Sequence, residues 1–294
     1  MDLATAASLV HQRRPDLDLS SAQLSSPGWD FDVLISDEWV FRFPRRAQVA
    51  TKLSMEVVLL PALRPRLAVA VPRIEVQGVL SDGRTRWAGY RRIAGEPVTA
   101  ELFGSTRGGL ARSQIAGVLA ALADVSVREA RDIGVPVADV GSWWRAREAV
   151  SVRIRAEVLP LLDGDTAACA SALLGRPLPA DFAPTLLHGD FHRGHLLADD
   201  ARGLLHGVID WSDAQVGDPA LEAAQLIEDL PEPVVAELLP PYADDDDDFW
   251  IRARAYRRRF PLEEVLHGLD TGERRFVDRG VREAAALFRE TVSG

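Results

Sequence analysis

The prevailing spacing of apolar residues changes near residue 93 of this chain, and the change dictates two kinds of folded neighbourhood. Before it, FDVLI (31–35), WVFRF (39–43), RIEVQGVL (73–80) and RWAGYRRI (86–93) are short runs rich in β-branched and aromatic residues. Turn signals such as Ser36-Asp37-Glu38 and Ser81-Asp82-Gly83 part them, so they predict strands of an antiparallel sheet. Between the second and third, AQVATKLSMEVVLLPAL sets Val49, Leu53, Val57 and Leu60 on one helical face, and a helix interrupts the sheet. After the change, QIAGVLAALADV, SWWRAREAVSVRIRAEVLPLL and TAACASALL carry apolar residues at steps of three and four, which predicts helices. A chain of 294 residues exceeds one compact core of ordinary size, so two lobes are expected, residues 1–92 and 93–294, with a cleft available between them.

With 47% hydrophobic and 27% charged residues the chain can bury a core, which excludes wholesale disorder. Its formal charge of -10 opposes binding to nucleic acid, whose phosphates require a basic face, despite a local RAYRRR cluster. Such acidity suits a cationic ligand or simple solubility. Cys169, the single cysteine, has no partner for an intramolecular disulfide, and MDLATAASLVHQRRPD lacks the basic start and apolar core of a secretory signal. No apolar run reaches the ~18 residues that cross a bilayer. A soluble, cytoplasmic monomer without a membrane or nucleic-acid partner is the expectation.

The helical pattern is interrupted by LLHGDFHRGHLLADDARGLLHGVIDWSDAQVGDPALEAA, where strand-like HLLA and HGVID alternate with polar turns. Phosphoryl transfer needs a carboxylate to orient the attacking hydroxyl, an acidic ligand for magnesium and a cation for the phosphates. His188-Gly189-Asp190, with His195 five residues after Asp190, has the spacing of a kinase catalytic loop, and Asp210 directly follows an apolar strand, as a magnesium ligand requires. His188, His192 and His195 also admit a zinc reading, because the first pair has the four-residue spacing of helical metal ligands. Gly189 and Gly194 make a continuous helix poor there, and Asp210 would have no task. Asp190 or Asp210 alone could merely cap a turn; together they point to chemistry.

HGDFHRGHLL with VIDWSDAQVGDPALEAA resembles the paired signature of the aminoglycoside and macrolide phosphotransferases, antibiotic kinases with a protein-kinase-like fold. Histidine at 195 resembles the aminoglycoside 2″- and macrolide 2′-phosphotransferases in particular. WVFRFPRRAQVATKLSMEVVLL and PLEEVLHGLDTG extend the likeness over nearly all of the chain. The resemblance implies a bilobal α+β fold, with a small antiparallel-sheet N-lobe holding one main helix and the nucleotide, and a larger helical C-lobe for catalysis and substrate. It implies Asp190 as catalytic base and Asp210 with His195 as ligands of Mg2+. Arg42 stands where relatives place a strand lysine that grips phosphates, and Glu56 where its carboxylate partner sits. Ser26 and Gly28, around Pro27, resemble the loop over the phosphates; Tyr90, Arg91 and Ile93 resemble the hinge, where a bulky tyrosine disfavours adenine and puts GTP ahead of ATP. Asp213, Glu228, Asp229 and Glu232 fall where the aminoglycoside enzymes hold their substrate with acids.

Blander readings stand beside these. Arg42 could be an exposed strand residue, Glu56 a surface helix charge, and the acids after GDPALEAA an ordinary solvated helix end. Trp143-Trp144 reads as packing, Gly217-Asp218-Pro219 as a turn with Asp218 capping the next helix, and Asp244 to Asp248 as a solvated loop or helix start. The expected function is transfer of phosphate from GTP or ATP to a hydroxyl of a small glycosylated antibiotic, an aminoglycoside ahead of a macrolide. A housekeeping kinase of a small alcohol, sugar or amino-alcohol and a non-catalytic nucleotide-binding protein are the alternatives.

Overall fold

A computed structural model describes residues 1–26, 28–105, 108–239 and 247–290. The chain divides into two compact units, residues 1–136 with 188–215, and residues 137–187 with 216–294. The first unit therefore runs past the expected boundary at 92 to residue 136 and receives a late segment of the chain, because the hairpin 196–208 pairs with the strand at 96–97.

The first unit opens with helix α1 (Leu3–His11), whose Thr5 N–H is accepted by the Asp2 side chain at 2.8 Å. Strands β1 (Gln23–Ser25), β2 (Phe31–Ile35) and β3 (Trp39–Pro44), helix α2 (Ala47–Leu63) and strands β4 (Ile74–Val79) and β5 (Arg86–Arg91) follow. The five strands form one antiparallel sheet in the order β1-β2-β3-β5-β4. Its middle strand, β3, is buried along its whole length. Alternation along a strand sends Trp39, Phe41 and Phe43 to one face and Val40 and Arg42 to the other. The first set packs with Leu34, Trp87 and the α1 residues Ala6 and Val10; on the other face Val49 and Leu53 of α2 meet Phe31 and Ala88. Arg42 is thereby turned toward α2. Glycine at 89 makes room for this core, since a Cβ there would lie 2.2 Å from the Phe41 ring.

Beyond the sheet come β6 (Glu96–Pro97), α3 (Ala100–Gly104), α4 (Gly109–Ala123) and α5 (Val127–Ile133). The second unit then takes α6 (Val140–Arg153), α7 (Gly164–Gly175) and β7 (Thr185–Leu187). The chain re-enters the first unit as β8 (Leu196–Asp199) and β9 (Leu204–Val208), an antiparallel hairpin whose β8 pairs with β6. The hairpin is tied down by Gln114 of α4, whose side chain exchanges two hydrogen bonds with the Leu205 backbone, and by a bridge from Gly207 to Ala70. It holds the loops at either end, 188–195 and 209–214, against the sheet-bearing part of the same unit.

After β10 (Gln215–Gly217), the second unit is completed by α8 (Ala220–Asp229), α9 (Glu232–Leu238), α10 (Asp247–Thr271) and α11 (Arg274–Glu290). Ile154, Val158, Ala170, Leu174, Leu262, Val265, Ala284 and Phe288 form its core. Asp218 is fully buried and accepts from the Ala220 N–H at 3.0 Å, so it caps α8 as its position suggests; it also receives Arg252 Nε and the Tyr256 hydroxyl, each at 2.8 Å. Trp143 donates to the Tyr256 hydroxyl at 2.9 Å and Trp144 lies against Phe182 and Tyr256, so the tryptophan pair serves packing. Asp244 to Asp246 lie outside the described residues, and Asp247 begins α10. No single helix among the described residues is long and apolar enough to cross a membrane.

Candidate active site

The site is built in the first unit from two loops, one strand and one helix. His188 is fully buried; its Nε2–H donates to the Ile209 carbonyl at 3.0 Å and its Nδ1 accepts the Asp190 N–H at 3.2 Å. Both ring nitrogens are spent on backbone, which joins the two loops and removes His188 from any zinc cluster. Gly189 has φ +84, and a Cβ there would lie 2.1 Å from the Asp213 carbonyl oxygen. Asp210 is the one non-glycine residue with positive φ (62) among the described residues. Such strain persists where surrounding contacts over-determine it and clusters at functional sites; here Trp211 is buried behind it, with Nε1 donating to the Val208 carbonyl at 3.0 Å.

The loop 188–195 returns on itself so that His195 Nδ1–H donates to the Asp190 carbonyl at 2.9 Å. That bond leaves the lone pair on Nε2, which faces Asp210 Oδ2 at 3.7 Å. His192 has the opposite tautomer: its Nδ1 accepts the Gly194 N–H at 3.1 Å, so its proton sits on Nε2, 3.8 Å from Asp190 Oδ1. Asp190, His192 and His195 present donor atoms within 4.8 Å of one another. The two tautomers differ in what they present: His192 turns an N–H toward Asp190, beyond hydrogen-bond distance, and His195 turns a lone pair toward Asp210.

Arg42 joins strand, helix and loop. Its Nη1 donates to Glu56 Oε2 at 2.7 Å, and its Nη2 to Asp210 Oδ1 at 2.5 Å and Ser212 Oγ at 3.2 Å; its guanidinium lies 4.0 Å from the Phe31 ring centre. Arg42 and Glu56 are both buried, against the readings of an exposed strand residue and a surface helix charge. Burial opposes the charge on Arg42, yet Asp210 and Glu56 outweigh it and hold the guanidinium protonated. Burial likewise opposes ionisation of Asp210, but Arg42 and His195 overcome it and hold the carboxyl well below the usual range. Asp190, without such a cation, is pushed up by burial, an effect His195 and His192 only partly offset. The two acids thus occupy opposite electrostatic environments.

The remaining expected residues divide by place. Ser26 Oγ donates to Asp32 Oδ1 at 2.5 Å, Gly28 is exposed with its carbonyl 3.5 Å from Arg45 Nη1, and Pro27 lies outside the described residues. Tyr90 is buried on the Arg42 side of the sheet, and burial raises its phenol well above the ordinary value. Arg91 extends outward to Glu38, while Ile93 lies beside Gly207. Asp213 belongs to the first unit, where Lys52 Nζ holds its Oδ1 at 2.7 Å; Glu228, Asp229 and Glu232 belong to the second. Lys52 also reaches Asp30 Oδ2 at 2.9 Å, and Arg46 holds the other oxygen of Asp30 at 2.6 Å. Lys52, Asp30 and Arg46 are additions that sequence reasoning did not single out. Lys52 stands one helical turn before Glu56, and that spacing was the available signal.

A sheet with one packed helix, a buried Arg–Glu pair reaching an aspartate, and the loop 188–195 beside it define a phosphotransferase of kinase-like fold. Residues 21–260 match the phosphotransferase enzyme family, and the chain belongs to it. It is 25% identical over 285 residues to the uncharacterized protein YcbJ of Bacillus subtilis (strain 168), covering 88% of each chain. With viomycin phosphotransferase of Streptomyces vinaceus it shares 25% identity over 186 residues, 62% of this chain and 63% of that one. The GDP complex of aminoglycoside 2′-phosphotransferase-IIIa superposes with a TM-score of 0.83 at 23% identity, covering 99% and 98% of the two chains. A macrolide 2′-phosphotransferase from Brachybacterium faecium superposes at 0.71 with 24% identity, covering 96% and 97%.

Proposed function

We propose that this phosphotransferase moves the γ-phosphoryl group of GTP or ATP to a hydroxyl of a small glycosylated antibiotic, with Asp190 as base. The observation that carries the reading is the convergence of Asp190, His195, Asp210 and the Arg42–Glu56 pair within one unit. Asp190 orients the acceptor hydroxyl and takes its proton late; its raised proton affinity suits acceptance, and the His192 Nε2–H is turned toward the carboxylate at 3.8 Å. Arg42 keeps Asp210 ionised and aligned. Asp210 and His195 would hold a divalent cation, since an ionised oxygen and an imidazole lone pair face one another there; when bound, that cation neutralises charge on the phosphates. Imidazole is an unusual partner for magnesium, so manganese is expected to serve as well. Lys52, half-exposed near the loop that carries Gly28, adds a second cation for phosphate oxygens. GTP is preferred on the buried Tyr90 and on the GDP held by the aminoglycoside 2′-phosphotransferase-IIIa structure.

The acceptor class draws on viomycin, aminoglycoside and macrolide kinases among the similar proteins. One observation favours a second reading, a kinase of a less cationic alcohol or sugar: Glu232, expected to receive a polycation, is taken by Arg254 Nε at 2.9 Å. Nucleotide consumption with GTP and ATP, screened against aminoglycosides, macrolides, viomycin and small alcohols, decides between the acceptors. Nucleotide binding by calorimetry without consumption of any acceptor would overturn the catalytic reading in favour of a nucleotide-binding protein.

A further inference from the structure

We propose that the second unit carries a binding pocket for a small anion, a molecule bearing a carboxylate or phosphate group, with Arg257 and Arg258 as its recognition residues. Between the α8–α9 corner and helix α10 lies a cavity of about 350 Å³, within the size range of small-molecule sites, ~300–1,000 Å³. Leu230 and Pro231 give it an apolar wall, and Arg254, Arg257 and Arg258 face it from α10. Steps of three and four residues put these arginines on one helical face, an arrangement that like charges disfavour. A single carboxylate in the lining, Glu232, is consumed by both Nε and Nη2 of Arg254. Arg257 and Arg258 form no ion pair among the described residues, and the Nε–H of Arg257 is shut off from solvent without an acceptor. Closed to solvent, that Nε–H is closed to a ligand as well, and the terminal nitrogens of Arg257, which no carboxylate among the described residues takes, are the donors left for an oxygen supplied from outside. A planar guanidinium matches carboxylate and phosphate oxygens in a bidentate fork. In a chain of formal charge -10, a pocket with surplus positive charge selects against amines and for acids.

The lining includes Glu232, one of the acids expected to receive the acceptor, whereas the nucleotide is proposed to bind in the first unit, so nucleotide binding separates failure of this pocket from failure of the proposed nucleotide site. Calorimetric titration of the full chain with inorganic phosphate and, separately, with benzoate at constant ionic strength tests it. Saturable binding of at least one is expected, weakened about tenfold or more in Arg257→Gln and Arg258→Gln and tightened several-fold in Glu232→Gln, which releases Arg254. GTP affinity stays unchanged in all three. Circular dichroism checks each fold, and Arg258, partly exposed, supplies a variant that folds even where Arg257→Gln does not. No saturable binding of either probe, or equal affinity in the wild type and in both arginine variants, overturns the proposal. A second arm finds the source of the anion by measuring nucleotide consumption with hydroxy acids. A KM rise confined to those acceptors in Arg258→Gln assigns the anion to the acceptor; unchanged KM with lost phosphate binding assigns it to a free ion.

Discussion

At Asp190 and Asp210 the same side chain is driven in opposite directions by its neighbours, which suits the first to the proposed role of base and the second to that of ionised ligand. Asp190→Asn is expected to lower turnover by about 10²–10⁴-fold while GTP affinity by calorimetry holds; near-wild-type turnover would remove Asp190 from the mechanism. Arg42→Ala strands the buried carboxylate of Glu56 and unpairs the partly exposed Asp210, so urea unfolding is expected to show a loss of about 3 kcal/mol, and Arg42→Lys a smaller one. A loss below about 1 kcal/mol in the alanine variant would show that Glu56 and Asp210 find other partners. His188 makes a pH prediction. Burial pushes its imidazole down from 6.5 to about 3, so between those values the unfolded chain binds more protons than the folded one. Stability then falls as pH falls through that window, by up to ~1.4 kcal/mol per unit. His188→Asn should flatten the dependence of the urea midpoint between about pH 6 and 4; equal slopes would refute this.

Among the elements, α2 does two jobs: Val49 and Leu53 bury it against the sheet, and Lys52 and Glu56 carry its charges to the site. Leu53→Ala is expected to cost about 2–5 kcal/mol in denaturant unfolding, and to lower GTP affinity because Glu56 and Lys52 shift with the helix. Unchanged affinity at reduced stability would separate the two jobs. Strands 31–35 and 39–43 and helix 47–63 were legible because period and turn residues agree there. Helix α1 and strand β1 were not, since a nine-residue helix and a three-residue strand carry too few periods to stand out. At Glu232 the acid itself was visible, but its partner Arg254 is 22 residues away on another helix.

For the whole molecule, the division into two units makes a spatial prediction. Every residue proposed to hold nucleotide lies in the first unit, including the late segment 188–215. Hydrogen exchange with GTP and a divalent cation is therefore expected to slow in β1 to β3, α2 and residues 188–213, whereas phosphate alone should slow residues 227–232 and 254–258. Protection by GTP confined to the second unit would sink the proposed nucleotide site. From the chain alone came the longer elements, the family and the paired acids 190 and 210, because periodicity and short motifs are properties of neighbours in sequence. The partners of Arg42 and Glu232, the tautomers of His192 and His195 and the positive φ of Asp210 were decided by the tertiary structure. Charge pairing and proton placement depend on distances of a few ångströms between groups as far apart in sequence as Arg42 and Asp210, separated by 168 residues, and only folding sets those distances.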